Sequence, residues 1–190
     1  MLAYVFWHAP AAGVSPRKHE AALARYHAQV AEVRPEGFHG SLSFRAAALP
    51  WLADAGVTYE DWYLLEASFA LDILNQAAVG GSLRRPHEEV ARNTAAMAAG
   101  LYRLRSGDPR PAESKHACWL RKPEGTSYQD FERNMLRFIR RAAVSLWRRE
   151  MVLGPTPEFC LLSPEAVNPA ARFEPLAYER ELIWPRTETS

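Results

Sequence analysis

A chain of 190 residues, 48% hydrophobic and 24% charged, can bury a substantial core, and this composition excludes a disordered chain. A net charge of +1 excludes strong electrostatic attraction to nucleic acid or to an anionic membrane. No apolar stretch approaches the roughly 20 residues needed to span a bilayer, and the N-terminus has no signal-peptide pattern. The two cysteines form no metal or redox motif, so we expect a reduced, cytoplasmic protein.

In the first half of the chain, strands and helices alternate. The predicted strands are 2–8, 38–49 and 59–67, and the predicted helices are 15–34, 68–79 and 86–104. Ser15 followed by Pro16 is typical of a helix start, and Pro35 with Gly37 indicates its end. Apolar residues recur at helical spacing from 22 to 33, so one side of this helix should be buried. Residues 50–57 are predicted to form a loop.

The segment 106–114 is rich in proline, glycine and charge, and the order of elements repeats after it. A strand at 115–121 is followed by a helix from 126 or 127 to 141. The remaining predicted elements are strands at 145–153, 158–162 and 178–184, a helical turn near 164–167, and a frayed tail from 185. We predict an α+β fold of tandem ferredoxin-like (split βαβ) units, with antiparallel sheets forming an α+β barrel. The first unit, with an extra helix, covers 1–105, and a second, degenerate unit covers 115–186.

One segment of the first helix carries a family resemblance. Tyr26, His27 and Ala28, followed by Val30 and by an Arg-Pro-Glu-Gly turn at 34–37, resemble the helix end and Pro-Gly turn of the EthD-like branch of the dimeric α+β barrel proteins. In this chain a glutamine, at position 29, stands where the family has proline. The resemblance implies a curved sheet around a cavity. It also implies relatives that include cofactor-free monooxygenases, cyclases, dehydratases and haem-handling enzymes, in most of which two chains build the barrel.

The split βαβ topology places the end of the first strand beside the start of the third. His8 should therefore approach Tyr59 and Asp61, with Arg45 at a neighbouring strand end and His19 in the first turns of the helix above. A histidine, a carboxylate and a tyrosine in an apolar cavity are suited to general acid–base catalysis. The alternative for His8 is a solvated or backbone-bonded imidazole at a strand end.

A second candidate pair lies at the opposite end of these strands. His39 begins the second strand and Glu66 ends the third, where a face shared with Trp62 would raise the pKa of the glutamate. The alternative is a glutamate that reaches water. His27, which matches the family motif, is a candidate base or hydrogen-bond donor, and its alternative is a bond to a backbone carbonyl. The residues predicted to bind the substrate are Tyr4, Phe6, Trp62, Arg45 and His39.

The sequence contains no motif for a metal or a nucleophile. The six histidines have no HxH or HExxH spacing, and no phosphate loop or GxSxG motif is present, so no metal and no cofactor is expected. Cys118 and Cys160 fall on paired strands and are predicted to be neighbouring buried thiols.

Three functions remain open. The first is a cofactor-free monooxygenase, cyclase or lyase acting on a hydrophobic small molecule. The second is a non-catalytic ligand- or haem-binding protein, and the third is an interaction protein whose cavity is filled by its own aromatic side chains. A homodimer is one option for the assembly.

Overall fold

The computed structural model describes residues 1–46, 48–52, 56–108, 111–139, 144–151, 154 and 156–185. In chain order the elements are β1 (Leu2–Pro10), α1 (Pro16–Val33), β2 (Phe38–Ala46), β3 (Thr58–Leu65), α2 (Ser68–Gly80), α3 (Arg84–Arg92), β4 (Thr94–Gly107), β5 (His116–Leu120), α4 (Tyr128–Ile139), β6 (Ser145–Arg149), β7 (Phe159–Ser163), β8 (Leu176–Glu179) and β9 (Glu181–Trp184). Short 3₁₀ turns occupy Pro111–Glu113 and Ala171–Phe173.

The chain divides into two compact units. Unit 1 comprises Met1–Ala99 with Glu181–Ser190, and unit 2 comprises Gly100–Arg180. The contacts therefore change within β4, whereas the sequence places the limits of the units, 1–105 and 115–186, on either side of the 106–114 segment.

In unit 1 the strand order is β1-β3-β2-β9, and every neighbouring pair is antiparallel. Because β3 runs antiparallel to both β1 and β2, those two strands are parallel to each other and α1 is the crossover between them. This is a split βαβ unit. The register pairs Phe6 with Asp61 and His8 with Tyr59, while Ser43 of β2 is the partner of Asp61 on its other side.

Helix α1 begins and ends where the sequence predicts. The side chain of Ser15 accepts a hydrogen bond from the backbone N–H of Lys18 at 3.3 Å, and Pro16 occupies the first turn. Arg34 ends the helix in a left-handed conformation with φ 47°. The buried side of the helix contacts β2 and α3, and its fully or nearly fully buried residues are His19, Ala22, Leu23, Tyr26, His27 and Val30.

The predicted helix at 86–104 is wrong beyond its first turns. Helix α3 ends at Arg92, and the Thr94 hydroxyl donates to the carbonyl of Val90 at 2.8 Å, one helical turn back. The chain then continues as β4, whose Tyr102 is paired with Arg149 of β6. Alanine-rich sequence favours a helix locally, but pairing with a strand distant in sequence overrides that propensity.

In unit 2 the strand order is β8-β5-β7-β6-β4, with all neighbouring pairs antiparallel. Strands β5, β6 and β7 with helix α4 form a second split βαβ unit. Its core packs α4 against the sheet and is built from Cys118, Leu120, Phe131, Met135, Phe138, Val144, Leu146, Phe159, Leu161, Val167 and Phe173. The predicted fold class, α+β with split βαβ units and antiparallel sheets, is confirmed.

Two element predictions near the C-terminus are wrong. The single strand at 178–184 is two strands, β8 and β9, which belong to different units and are separated by Arg180. The buried Arg180 donates from its backbone N–H to the carbonyl of Lys115 at 2.8 Å and from Nε to the carbonyl of Ser114 at 3.0 Å. The predicted helical turn near 164–167 is not helical. The predicted helix end at 140–141, the strand end at 152–153 and the tail at 186–190 lie outside the described residues.

The two cysteines are buried thiols, as predicted, but they are not neighbours on one face. Cys118 is paired with Leu161 and Cys160 with Trp119, so the two side chains lie on opposite faces of the sheet. Burial raises the pKa of Cys118 to about 12, so it stays a thiol. Among the helices of the described residues, none combines the length and the apolar character needed to cross a membrane.

Candidate functional site

The candidate site is a chain of buried polar side chains between α1 and the sheet of unit 1. Side chains on alternate positions of a strand share a face, and directly paired residues lie side by side. Phe6, Ser43 and Asp61 are therefore adjacent on the face that α1 covers. His19 and His27 project from the buried side of the helix. The helix and this face of the sheet thus enclose one carboxylate and several imidazoles.

On one side of Asp61 the chain runs through two histidines to a backbone carbonyl. Asp61 Oδ2 lies 3.2 Å from Nε2 of His8, and His8 Nδ1 lies 3.1 Å from Nε2 of His19. His19 Nδ1 is 3.1 Å from the carbonyl oxygen of Asn93. His8 and His19 are fully buried, and Asp61 is 2% exposed. These groups are therefore shielded from bulk solvent.

On its other side Asp61 faces His27. The distance from Asp61 Oδ1 to His27 Nε2 is 3.5 Å, within range of an ion pair but without the geometry of a hydrogen bond. His27 Nδ1 lies 2.8 Å from the hydroxyl of Ser41. Asp61 is therefore flanked by imidazole nitrogens on both carboxylate oxygens.

The partners of His19 assign the protons of His8. A carbonyl oxygen only accepts hydrogen bonds, so Nδ1 of His19 must donate to Asn93. Burial, followed by the charge of His8, lowers the pKa of His19 to about 4. Nε2 of His19 therefore carries no proton at neutral pH and accepts a hydrogen bond, for which His8 Nδ1 must be the donor. Because Nε2 of His8 faces the carboxylate, both ring nitrogens of His8 occupy donor positions, and its imidazole lies within ion-pair distance of Asp61.

The charge of Asp61 is stabilised despite its burial. Burial by itself raises the pKa of a carboxyl group, but the imidazoles of His8 and His27 beside it outweigh this effect and hold the pKa of Asp61 well below its ordinary value. Asp61 is thus a buried carboxylate at neutral pH. The electrostatically preferred tautomer of His27 then places its proton on Nε2, toward Asp61, so that Nδ1 accepts from the Ser41 hydroxyl.

Asp61 also lines a cavity of about 660 Å³ in unit 1, a size that suits a small-molecule ligand. The cavity lies along β1 and β3 and is bounded by α2, α3 and the start of β4. Its residues are mainly aromatic and aliphatic: Tyr4, Phe6, Tyr26, Asp61, Tyr63, Ser68, Leu71, Asp72, Leu74, Asn75, Ala78, His87, Val90, Ala91, Thr94 and Met97. Burial and the negative charge of Asp61 raise the pKa of Tyr63 and of Tyr26, so both phenols stay protonated.

The structure brings together part of the predicted site. Tyr4, Phe6 and Asp61 line the cavity, and His8 and His27 both contact Asp61. The expected proximity of His8 to Asp61 is present. The alternatives are a solvated or backbone-bonded imidazole for His8 and a bond to a backbone carbonyl for His27. Neither applies, since both histidines are fully buried and both face side chains.

Tyr59 and Arg45 lie beside the network but not along the cavity. The Tyr59 hydroxyl donates to Glu20 at 2.8 Å, and the Tyr59 ring stacks on His8 with centroids 5.7 Å apart. Arg45 forms ion pairs with Glu20 and Glu181. Arg45, which is predicted to bind the substrate, does not line this cavity, and its guanidinium is paired with carboxylates.

Three other predicted site residues are also absent from the cavity wall. Trp62 lies on the opposite face of the sheet, since neighbours along a strand alternate faces. His39 and Glu66 are exposed: the ladder is irregular between Phe38 and Gly40, and Glu66 follows the end of β3. The predicted apolar setting for Glu66 is wrong because the strand ends one residue earlier.

The opposite face of the sheet holds a second buried carboxylate that the sequence reading passed over. Glu60 is fully buried, and its two oxygens accept the indole N–H groups of Trp7 at 3.0 Å and of Trp62 at 2.6 Å. This explains the position of Trp62. The aromatic residues of β1 and β3 thus bind a carboxylate on one face and border a cavity on the other.

The sequence pattern does not predict Ser41, Ser43, Tyr26 and Tyr63 as site residues, and it predicts no role for His19. One signal was available, because His19 and His27 are eight residues apart and fall within the buried positions of α1. Two histidines on the apolar side of a helix require polar partners. Those partners, including the Asn93 carbonyl, come from elements distant in sequence and could not be assigned.

Within the part of the chain that the structure describes, no group of three or more His, Cys, Asp or Glu side chains has the arrangement of a metal site. In the network each ring nitrogen of His8 and His19 faces a hydrogen-bonding partner. What the arrangement can do by itself is hold a carboxylate, bind a hydrogen-bond donor and pass a proton.

Comparison with known proteins supports the fold assignment. The chain superposes on the solved structure of an anthrone oxidase-like protein with a TM-score of 0.54 and 10% identity, covering 95% of this chain and 90% of the other. A monooxygenase candidate from Lactobacillus acidophilus NCFM gives a TM-score of 0.45 at 12% identity, covering 85% and 74%. A chlorite dismutase mutant from Candidatus Nitrospira defluvii gives 0.43 at 8%, covering 95% and 91%.

No family model matches the chain, and no curated protein matches its sequence. At such low identities the likeness to the solved structures extends to the fold alone. Fold and site together define an α+β protein of split βαβ units with a cavity next to a buried Asp–His network.

Proposed function

We propose that unit 1 binds a hydrophobic aromatic small molecule in the cavity and that Asp61, paired with His8, exchanges a proton with it. One observation carries the proposal: the carboxylate that lines the cavity is buried, its pKa is held well below the ordinary value, and it lies 3.2 Å from an imidazole nitrogen of His8. Apolar walls with a few well-placed polar groups are typical of ligand sites. A perturbed carboxyl group in such a cavity is a candidate acid–base group.

The charge balance of the Asp61–His8 pair explains how a weakly basic carboxylate can accept a proton from the ligand. The Asp61–His8 pair is neutral overall before reaction. When the ligand gives its proton to Asp61, the imidazolium of His8 remains 3.2 Å from the carboxyl group. The ligand anion therefore forms beside a positive charge, inside an apolar cavity where electrostatic attraction is strong. The tyrosine phenols of the wall stay protonated and can donate hydrogen bonds to the anion.

We propose oxygenation as the reaction class. One solved structure that shares this fold is described as an anthrone oxidase-like protein, which makes anthrone a suitable first substrate. Loss of a C–H proton to Asp61 would give a carbanion that reacts with O₂. One oxygen atom is retained as the new quinone carbonyl and the other leaves as water, so anthrone and O₂ yield anthraquinone and H₂O. Oxygen is the only oxidant required.

The test compares two carboxylates of the same cavity. Asp61→Asn keeps the size of the side chain but removes its charge, and Asp72→Asn does the same on the α2 side of the cavity, where Asp72 accepts only from Gln76 among its described contacts. Oxygen uptake and anthraquinone formation are measured for both. We expect kcat/KM to fall more than about 100-fold in Asp61→Asn and to change less than about threefold in Asp72→Asn.

Other outcomes discriminate between functions. Tight binding of anthrone without oxygen uptake would support ligand binding and contradict oxygenation. Equal effects of the two substitutions on kcat/KM would contradict a role of Asp61 in the reaction. The cavity volume of about 660 Å³ argues against an interaction protein whose cavity is filled by its own aromatic side chains.

Haem binding has less support. An axial haem ligand is an imidazole nitrogen directed at iron, whereas the nitrogens of His8 and His19 face one another, Asp61 and Asn93. These residues do not fit an axial ligand. A haem titration without a Soret shift at stoichiometric haem would exclude this alternative.

EthD-like kinship, a homodimeric assembly and a cytoplasmic location stay predictions. The assembly is measured directly by sedimentation equilibrium of the full chain.

A further inference from the structure

Three buried polar atoms at the site lack a hydrogen-bond partner among the described residues. They are Oδ1 of Asp61, Nε2 of His27 and Oγ of Ser43. Ser43 and His27 are fully buried and Asp61 is 2% exposed. Unsatisfied buried polar groups are uncommon in native proteins because each costs free energy.

The three atoms belong to one place. Asp61 Oδ1 and His27 Nε2 are 3.5 Å apart. Ser43 is the direct β2 partner of Asp61, so the two side chains are neighbours on the same face. Of the three residues, Asp61 lines the cavity, so the group borders the space in which a ligand would bind. Three unsatisfied atoms around one carboxylate indicate a shared partner.

The chemistry of the three atoms restricts that partner. An ionised carboxylate oxygen only accepts hydrogen bonds, and Nε2 of His27 donates when Nδ1 accepts from Ser41. The Ser43 hydroxyl can do either. An ammonium group only donates hydrogen bonds, so it could not accept from the N–H of His27. It would also lie near the charge of His8, which repels it. A carboxylate only accepts and would be repelled by Asp61. A hydroxyl group both donates and accepts.

We propose that Asp61, His27 and Ser43 form a hydroxyl-binding subsite, and that the ligand is an aromatic molecule carrying a hydroxyl group. The hydroxyl donates to Asp61 Oδ1 and accepts from His27 Nε2, and the rings of the cavity wall contact the aromatic body. The inference rests on the proposed function of the cavity, because it needs an aromatic ligand there. It adds the group by which that ligand is selected.

Binding of matched naphthalene probes tests the subsite separately from the cavity. 1-Naphthol and 1-methylnaphthalene share a ring system and differ in the hydroxyl, and 1-naphthylmethylammonium carries a donor-only cation. Their dissociation constants are measured by fluorescence titration with the full chain. We expect 1-naphthol to bind at least about tenfold more tightly than either of the other probes, as a hydrogen bond to a charged group implies.

The variants Ser43→Ala and Ser163→Ala provide matched deletions of buried serines. Ser43 belongs to the subsite, whereas Ser163 lies in unit 2 and does not line the cavity. We expect Ser43→Ala to weaken 1-naphthol binding about three- to tenfold and to leave 1-methylnaphthalene binding unchanged. Ser163→Ala should change neither. His27→Phe, checked for folding by circular dichroism, should abolish the preference for the hydroxyl probe.

The failures are distinguishable. If 1-methylnaphthalene binds and 1-naphthol binds no better, the subsite is wrong while the cavity stands, and the three atoms are satisfied by water. Preference for the ammonium probe would equally overturn the subsite. If no probe binds, the proposed function of the cavity fails and the subsite fails with it.

Discussion

Glu60 and Asp61 are consecutive residues of β3, and their buried carboxylates lie on opposite faces of one sheet. Glu60 accepts two indole N–H groups, and Asp61 faces two imidazoles. The neighbouring strand alternates in the same way, since Trp7 serves Glu60 and His8 serves Asp61. Alternation along two paired strands therefore produces two separate buried acid sites from four residues.

The first prediction concerns the ion pair of Asp61 and His8. Removing one partner of a buried pair leaves an uncompensated charge, so Asp61→Asn should lower the free energy of unfolding by about 3–5 kcal/mol. His8→Gln should cost a similar amount. The double variant should cost less than the sum by at least about 1 kcal/mol, because the two residues interact directly. Urea unfolding at pH 7 measures all four proteins, and strictly additive losses would contradict the pairing.

The second prediction concerns pH and His19. Its pKa in the folded protein is lowered to about 4, by burial and by the charge of His8, so between pH 4 and the ordinary value of roughly 6.5 the unfolded chain binds the extra proton. The contribution of neutral His19 to the free energy of unfolding is fully present above about pH 6.5. It is lost as the pH falls toward 4, by about 3 kcal/mol in total.

His19→Gln cannot take up this proton and is the control. Unfolding free energies of the wild type and of His19→Gln are measured from pH 4 to 7. We expect the unfolding free energy to rise more steeply with pH in the wild type than in the variant. The difference in slope should correspond to the uptake of up to one proton on unfolding in this window. Parallel slopes would show that His19 does not titrate between the folded and unfolded states.

The third prediction concerns Glu60. Glu60→Leu removes the acceptor of both indoles and should destabilise the protein by about 3 kcal/mol, whereas Glu60→Gln keeps one acceptor oxygen and should cost about half as much. Chemical unfolding gives the free energies, and near-ultraviolet circular dichroism reports on Trp7 and Trp62. A leucine variant as stable as the glutamine variant would show that the carboxylate oxygens are not needed by the indoles.

The fourth prediction compares two glycines with similar backbone conformation. Gly37 has φ +72° and Gly13 has φ +78°, so alanine at either position should cost about 1 kcal/mol in backbone strain. A Cβ at Gly37 would lie 2.8 Å from Cβ of the buried Ala70, while at Gly13 it would meet nothing within 4 Å. We expect Gly37→Ala to cost roughly 1–3 kcal/mol more than Gly13→Ala in thermal unfolding. Equal costs would contradict the close approach.

Local patterns predicted most of the elements. Helix α1 carries its own cap and its own buried stripe, and its predicted limits, 15–34, differ from Pro16–Val33 by one residue at each end. Strand β4 was not predictable in this way. Its alanine-rich start favours a helix locally, whereas pairing with strands distant in sequence, as of Tyr102 with Arg149, makes it a strand.

The candidate site, too, has one part that the sequence predicts and another part that only the tertiary structure shows. Because split βαβ topology fixes which strand ends meet, the sequence by itself determined the α+β class and brought His8 next to Asp61. Tertiary structure decided which side chains share a face and which are covered: His19 belongs to the network and Ser43 lies beside Asp61, Trp62 lies on the opposite face, and His39 and Glu66 are exposed. A shift of one residue reverses the face of a strand residue, and the lengths of β2 and β3 depend on contacts that no local pattern contains.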